Sequence, residues 1–169
     1  NGGAGGVGHC AVQYAHHLGA HVTATCGPDN VAFVRELGAD EVLDYTREDY
    51  AAATVPFDVI FDTTGHASWR ACRHVLAPDG VYVNTSPDAA SVVTTLAEKV
   101  AARLAGRQRV VAFVLKPRAE AWRRLATLAE ASAIVPHVRA TIGLADVAEA
   151  ERQMETGHGR GKIVVLPSR

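Results

Sequence analysis

The 169-residue sequence is short of the features that mark specialised protein classes. Its three cysteines, Cys10, Cys26 and Cys72, stand far apart and form no C-x-x-C pair, so neither a disulfide framework nor a zinc-ligand spacing is present. They read as reduced, mostly buried thiols of an intracellular protein, and a cytoplasmic location is expected. No apolar run reaches the roughly 18 residues of a membrane span, so no membrane partner is expected. Lys and Arg number 17 against 18 Asp and Glu, with no block of one sign, so nothing resembles a nucleic-acid footprint. The short basic run from Arg118 to Arg124 carries an acid and has helical spacing, as a solvated helix face does. His9, His16, His17 and His21 cluster in sequence, but His9 and His16 stand two helical turns apart and His21 opens the predicted strand, so paired ligands on one helix are not evident and no metal site is assigned.

What is there begins at once. Gly3, Gly5 and Gly8 fit G-x-G-x-x-G, and the stretch from Val7 to Leu18 reads as a helix. In such a loop the first glycine permits a tight turn and the second lets a pyrophosphate approach the backbone. The third lets the helix pack on the preceding strand. Free N–H groups at the helix start, together with the positive end of its dipole, then favour phosphates. That preceding strand is expected before Asn1, so the chain reads as truncated at its amino end and unstable in isolation.

Strand and helix signals alternate after the loop, which predicts an α/β, doubly wound parallel sheet of Rossmann type. Predicted strands cover His21 to Thr25, Glu41 to Asp44, Phe57 to Phe61, Val81 to Asn84 and Arg109 to Leu115. Predicted helices cover Pro28 to Leu37, Ala67 to Leu76, Ser91 to Ala105 and Ala119 to Ala131, with a short helical piece around Arg47 to Ala52. Residues 1–134 are expected to form the dinucleotide-binding domain, and 135–169 a C-terminal segment of different style. In that segment Val138 to Ile142 and Lys162 to Leu166 read as strands around a helix from Leu144 to Glu155.

Ligands of such sheets lie beyond the carboxyl ends of the strands. Candidate cofactor contacts are therefore Gly3, Gly5, Gly6, Val7 and Gly8 in the loop, Thr25, Cys26, Asn30 and Tyr45 beyond the next two strands, and Thr64, Gly65, Phe113 and Val114 farther on. An acid at the end of the second strand would bind the ribose of NAD and repel a 2′-phosphate. Thr25, Cys26 and Gly27 stand there, and their neutrality favours NADP over NAD. No Lys or Arg follows before Arg35, and Asp29 is an unhelpful charge for that preference. No side chain presents itself as a proton donor, so the catalytic list is empty. Asp62 reads as a strand-end cap.

Several passages resemble the cofactor domain of the zinc-independent, quinone oxidoreductase branch of the medium-chain dehydrogenases. They are Gly2-Gly3-Ala4-Gly5-Gly6-Val7-Gly8-His9, Leu37-Gly38-Ala39-Asp40-Glu41-Val42-Leu43-Asp44-Tyr45, Phe57 to Asp62 with Thr64-Gly65, and Gly157-His158-Gly159-Arg160-Gly161-Lys162-Ile163-Val164. The resemblance covers the whole chain in one order. It implies an NADPH-dependent reductase that passes hydride to a quinone, enone or similar conjugated carbonyl. It also implies a GroES-like domain earlier in the sequence, whose sheet the tail after Val135 would complete. By the same resemblance Phe113 and Val114 lie near the nicotinamide, and Tyr45 and Asp29 near the 2′-phosphate. Several relatives carry a base where this chain has Asp29. The stretch from Ser91 to Leu115 lies where relatives pair as homodimers.

Two other readings stay open. A zinc alcohol dehydrogenase would keep its ligands mostly in the other domain. Thr25, where those enzymes usually place an acid, counts against it. A non-catalytic nucleotide-binding protein would bind the cofactor without transferring hydride.

Overall fold

The computed structural model describes residues 1–85, 97–103, 106–112, 118–155, 157 and 159–167. They fall into two compact units, one of Asn1 with Glu48–Lys116 and one of Gly2–Arg47 with Pro117–Arg169. All the strand pairings among the described residues are parallel, as an α/β fold with helical crossovers requires.

In the second of these units the glycine-rich turn runs straight into helix α1, Gly8–His17. Strand β1, Thr23–Cys26, then pairs with β2, Glu41–Asp44, in the register Thr23↔Glu41 through Cys26↔Asp44. Helix α2, Val31–Glu36, connects them. The single helix predicted from Pro28 divides, because Pro28–Asn30 tighten into a 3-10 turn in which the Asn30 N–H donates to the Gly27 carbonyl at 3.0 Å. Ala4, Val12, Ala24, Cys26, Phe33, Val34 and Ala39 form the core of this part. Later in the chain come strand β6, Val138–Gly143, helix α6, Val147–Glu155, and strand β7, Lys162–Leu166. β6 and β7 pair in parallel, and their apolar residues stay partly exposed, Val138 at 46% and Val165 at 38%.

The other unit contains a three-stranded sheet of β3, Phe57–Asp62, β4, Leu76–Asn84, and β5, Arg109–Ala112, in the order β3-β4-β5. Helix α3, Trp69–Cys72, and α4, residues 97–103, pack on it. Ile60, Trp69, Cys72, Val75, Leu76, Tyr82, Ala102 and Val110 form its core. Among the other helices, α5 covers Ala119–Glu130 in the unit of the glycine-rich turn and buries none of its residues.

One predicted element is much shorter than expected. A helix from Ala67 to Leu76 reduces to the four residues of α3, and Leu76 opens a strand instead. Phe57 N–H donates to the Val75 carbonyl at 2.8 Å, and Leu76 pairs with Phe57. The Gln108 amide donates to the carbonyls of Arg73, Leu76 and Ala77 at 3.0, 3.0 and 3.2 Å, replacing the partners a longer helix would supply. Its carbonyl oxygen accepts from Trp69 Nε1 at 2.9 Å. Local helix tendency yields here to long-range hydrogen bonds. The predicted Pro78-Asp79-Gly80 turn lies within β4 as a register shift between the Phe57↔Leu76 and Val59↔Val81 pairs, and Arg107 grips the Asp79 carboxylate. Of the predicted Ser91–Ala105 helix and Arg109–Leu115 strand, only residues 97–103 and Arg109–Ala112 are described.

Gln108→Ala should lower unfolding free energy by about 1–3 kcal/mol, because it strands the buried Trp69 N–H and removes the carbonyls' partner. Chemical denaturation monitored by tryptophan fluorescence measures this.

Candidate functional site

The turn Gly2–Gly8 is held by its own backbone and by β1. Gly3 N–H donates to the Thr25 carbonyl at 2.8 Å, Gly2 N–H to the Thr25 hydroxyl at 3.2 Å, and Gly5 N–H to the Gly2 carbonyl at 3.1 Å. At Gly8 the backbone passes so close that a methyl group would overlap the Gly2 carbonyl oxygen and stand 2.9 Å from Gly3 Cα. At Gly3 a methyl group would press on Ala24 Cβ at 3.1 Å. Only glycine permits this packing of loop, helix and strand. The first turn of α1 has no side-chain cap and no acid, so its amides keep their positive character for an anion.

Beside this turn the structure places a residue that sequence reasoning left out of the site. Lys162, the first residue of β7, brings its Nζ to 3.2 Å from where a Gly6 methyl group would stand. Gly161 N–H donates to the Ala4 carbonyl at 2.9 Å, and Lys162 N–H to the His137 carbonyl at 2.8 Å. The closing Gly-Lys pair was visible as a motif, but its contact with the first residues of the chain spans too much sequence for spacing to reveal.

His9 lies beneath the loop, 0% exposed. Its Nδ1 is 2.8 Å from the Gly5 carbonyl, and Cys10 Sγ is 3.4 Å from its Nε2. Burial holds its imidazole below the ordinary range despite the Gly5 bond, and the Lys162 and His137 charges act in the same direction. Burial also raises the Cys10 thiol, and Lys162 opposes that rise.

At the end of β1, Thr25 and Cys26 are buried, while Asn30 is half-buried in its 3-10 turn. Tyr45, 53% exposed, sets its hydroxyl 3.3 Å from where a Gly27 methyl group would stand. The register also brings Asp44 level with Cys26. That acid is engaged in its own turn, accepting from Thr46 N–H at 2.9 Å and the Thr46 hydroxyl at 2.7 Å. Those bonds hold its carboxyl below the usual range. Arg47 Nε stands 3.8 Å away, a surface cation that follows Tyr45 by two positions.

In the other unit the carboxyl end of β3 closes on Asp62, 0% exposed. Its Oδ1 accepts from Thr64 N–H, the Thr64 hydroxyl and Asn1 Nδ2 at 3.0, 2.8 and 2.9 Å. Its Oδ2 accepts from the Tyr82 hydroxyl at 3.1 Å and Ala67 N–H at 3.3 Å. Burial pushes this carboxyl up, but the hydrogen bonds from Thr64, Tyr82 and Ala67 outweigh it and leave it below the ordinary range. Gly65 follows at φ 72°, in the left-handed region. Phe113 and Val114 lie outside the described residues. The described residues form no group of three or more His, Cys, Asp or Glu able to hold a metal ion, and no helix among them is long and apolar enough to cross a membrane.

Comparison with known proteins agrees with this geometry. Residues 37–165 match the family described as zinc-binding dehydrogenase, and the chain belongs to that family. It is 32% identical over 167 residues to the chloroplast envelope quinone oxidoreductase homolog of Arabidopsis thaliana, covering 96% of this chain and 50% of that protein. It is 31% identical to the mitochondrial NAD(P)H oxidoreductase RTN4IP1 of Danio rerio, covering 97% of this chain and 47% of that one. The solved quinone oxidoreductase of Coxiella burnetii superposes with a TM-score of 0.84 at 28% identity, over 96% of this chain and 50% of its own. The Rossmann-type α/β class is thereby shown, and the chain spans about half the length of the curated relatives it matches.

Gly8→Ala should destabilise the protein by more than about 3 kcal/mol, since backbone must move to admit the methyl group. Gly6→Ala should cost less than about 1 kcal/mol, because the atom it meets is the movable end of Lys162. Thermal unfolding of both variants checks the contrast. Asp62, with its carboxyl held below the unfolded value, adds stability that is full above that unfolded value and is lost as pH falls through the folded one. Asp62→Asn should therefore shallow the acid limb of the stability–pH curve, measured by urea unfolding at a series of pH values below neutrality.

Proposed function

We propose that this chain is the cofactor-binding part of an NADPH-dependent oxidoreductase that reduces quinones, enones or similar conjugated carbonyls. The observation that carries the reading is the glycine-rich turn, pinned to β1 through Gly3 and Thr25 and feeding α1 with an uncapped first turn. Its backbone closeness at Gly8 leaves amides, not side chains, to meet a phosphate. Gly5, Gly6, Val7 and Gly8 would hold the pyrophosphate, and Lys162 would add a cation beside it. Tyr45, Asn30, Thr25 and Cys26 would form the adenosine end.

The preference for NADP over NAD has two supports. No acid ends β1, and the acid that lies level with Cys26, Asp44, has its carboxylate engaged by Thr46. With Thr46 on its oxygen, Asp44 is engaged away from the ribose hydroxyls of NAD while it stays ionised. A 2′-phosphate near Tyr45 would meet a hydroxyl and the exposed Arg47, 3.8 Å from that carboxylate. Asp29 is the departure that works against this preference. The named relatives, a quinone oxidoreductase homolog and an NAD(P)H oxidoreductase, support the reaction class.

When bound, the dinucleotide supplies hydride chemistry, and the chain's own residues bind and orient it while excluding water. On the family resemblance, Thr64, Gly65, Phe113 and Val114 are proposed as further contacts, residues 135–169 as a segment that completes the sheet of a neighbouring domain, and a homodimer as the assembly. The cytoplasm is the proposed location, although relatives carry chloroplast and mitochondrial names.

Separate fluorescence titrations with NADPH and NADH test the cofactor, with tighter NADPH binding expected and equal or tighter NADH binding overturning the preference. Loss of nicotinamide absorbance with a quinone acceptor, in the protein that carries this chain, tests the reaction. Lys162→Ala should weaken NADPH and NADH alike by roughly tenfold, about 1.4 kcal/mol, because the pyrophosphate is common to both.

A further inference from the structure

The buried histidine under the glycine-rich turn is placed to set the direction of a backbone amide. The Gly5 carbonyl accepts from His9 N–H at 3.1 Å, and His9 Nδ1 lies 2.8 Å from the same oxygen. A carbonyl only accepts, so Nδ1 carries the proton. Nε2 is then the lone-pair nitrogen, and the Cys10 thiol, 3.4 Å away, donates to it. The ring is thus held at both nitrogens, and Gln13 Nε2 holds its backbone by donating to the His9 carbonyl at 2.9 Å.

In a trans peptide the carbonyl and the following N–H point in opposite directions. Two donors draw the Gly5 carbonyl back onto the first turn of α1, which turns the Gly6 N–H the other way. That N–H has no hydrogen-bond partner among the described residues. We infer that His9 is a positioning residue: its Nδ1–H fixes the Gly5–Gly6 peptide so that the Gly6 N–H is presented to a phosphate of the bound dinucleotide. Without the second donor only the His9 backbone N–H holds the Gly5 carbonyl, and the Gly6 amide is aimed less firmly before the ligand arrives. The inference rests on the dinucleotide reading above.

The test compares wild type, His9→Asn and His9→Leu by NADPH titration, each with its unfolding midpoint. The Asn side-chain amide places a donor where Nδ1 stands, whereas Leu has none. Expected are an affinity for His9→Asn within threefold of wild type and a loss of at least tenfold for His9→Leu. Imidazole 15N spectra of wild type should show the neutral ring protonated at Nδ1. Equal affinity of wild type and His9→Leu overturns the inference, as does His9→Asn weakened by tenfold or more at an unchanged midpoint. If His9→Leu does not fold, His9→Asn and the 15N spectrum decide, and a ring protonated at Nε2 overturns it. A folded wild-type protein carrying this chain that binds neither NADPH nor NADH overturns the functional reading and this inference together. Binding by wild type with no effect of His9→Leu overturns this inference alone.

Discussion

The close passage of Gly8 over the Gly2 carbonyl is the contact on which the candidate site depends. It forces the chain to reverse within a few residues, which brings the Gly5 N–H onto Gly2 and leaves Gly3 free to donate to β1. The direction of α1 follows from that reversal. So does the orientation of the amides at its start, since no side chain caps them. A single added methyl group removes the geometry, which is why a glycine-rich loop with no charged side chain can define a ligand class.

Both units close the carboxyl ends of their strands with polar groups instead of apolar ones. In one, Thr25 uses its carbonyl and hydroxyl to hold the glycine-rich turn. In the other, Asp62 collects hydrogen bonds from Asn1, Thr64, Ala67 and Tyr82. Burying a carboxylate costs several kcal/mol unless it is fully hydrogen-bonded, and here the number of donors reverses the effect of burial on its protonation. The strand ends are consequently rigid and polar, which suits loops that must present backbone to a charged ligand. Rigidity at the glycine-rich turn has a second source in His9, whose two ring nitrogens are both engaged.

Most of the fold was legible because its signals are local. Lys162–Leu166 and Glu41–Asp44 form strands with the predicted limits, being short β-rich runs bounded by turn residues. The helix after the glycines runs from Gly8 to His17, inside the predicted span. The reading of Ala67 to Leu76 as one helix failed where Gln108, far along the chain, supplies partners for the carbonyls of Arg73, Leu76 and Ala77. No periodicity reports a partner that distant. The site shows the same division. Gly3, Gly5 and Gly8 announce themselves by spacing, whereas Lys162 joins them only through the bond from Gly161 to Ala4.

The sequence by itself determined the parallel α/β class, the dinucleotide-type turn, the family resemblance and the neutral end of β1, because each is written in neighbouring residues or short spacings. Tertiary structure alone decided that Asp44 stands level with Cys26 yet is engaged by Thr46, that Lys162 flanks Gly6, and that His9 is buried against the Gly5 carbonyl. The physical reason is one of range. Turn and helix propensities act over a few bonds, while strand register, burial and the direction of a hydrogen bond depend on which distant segments the packing brings into contact.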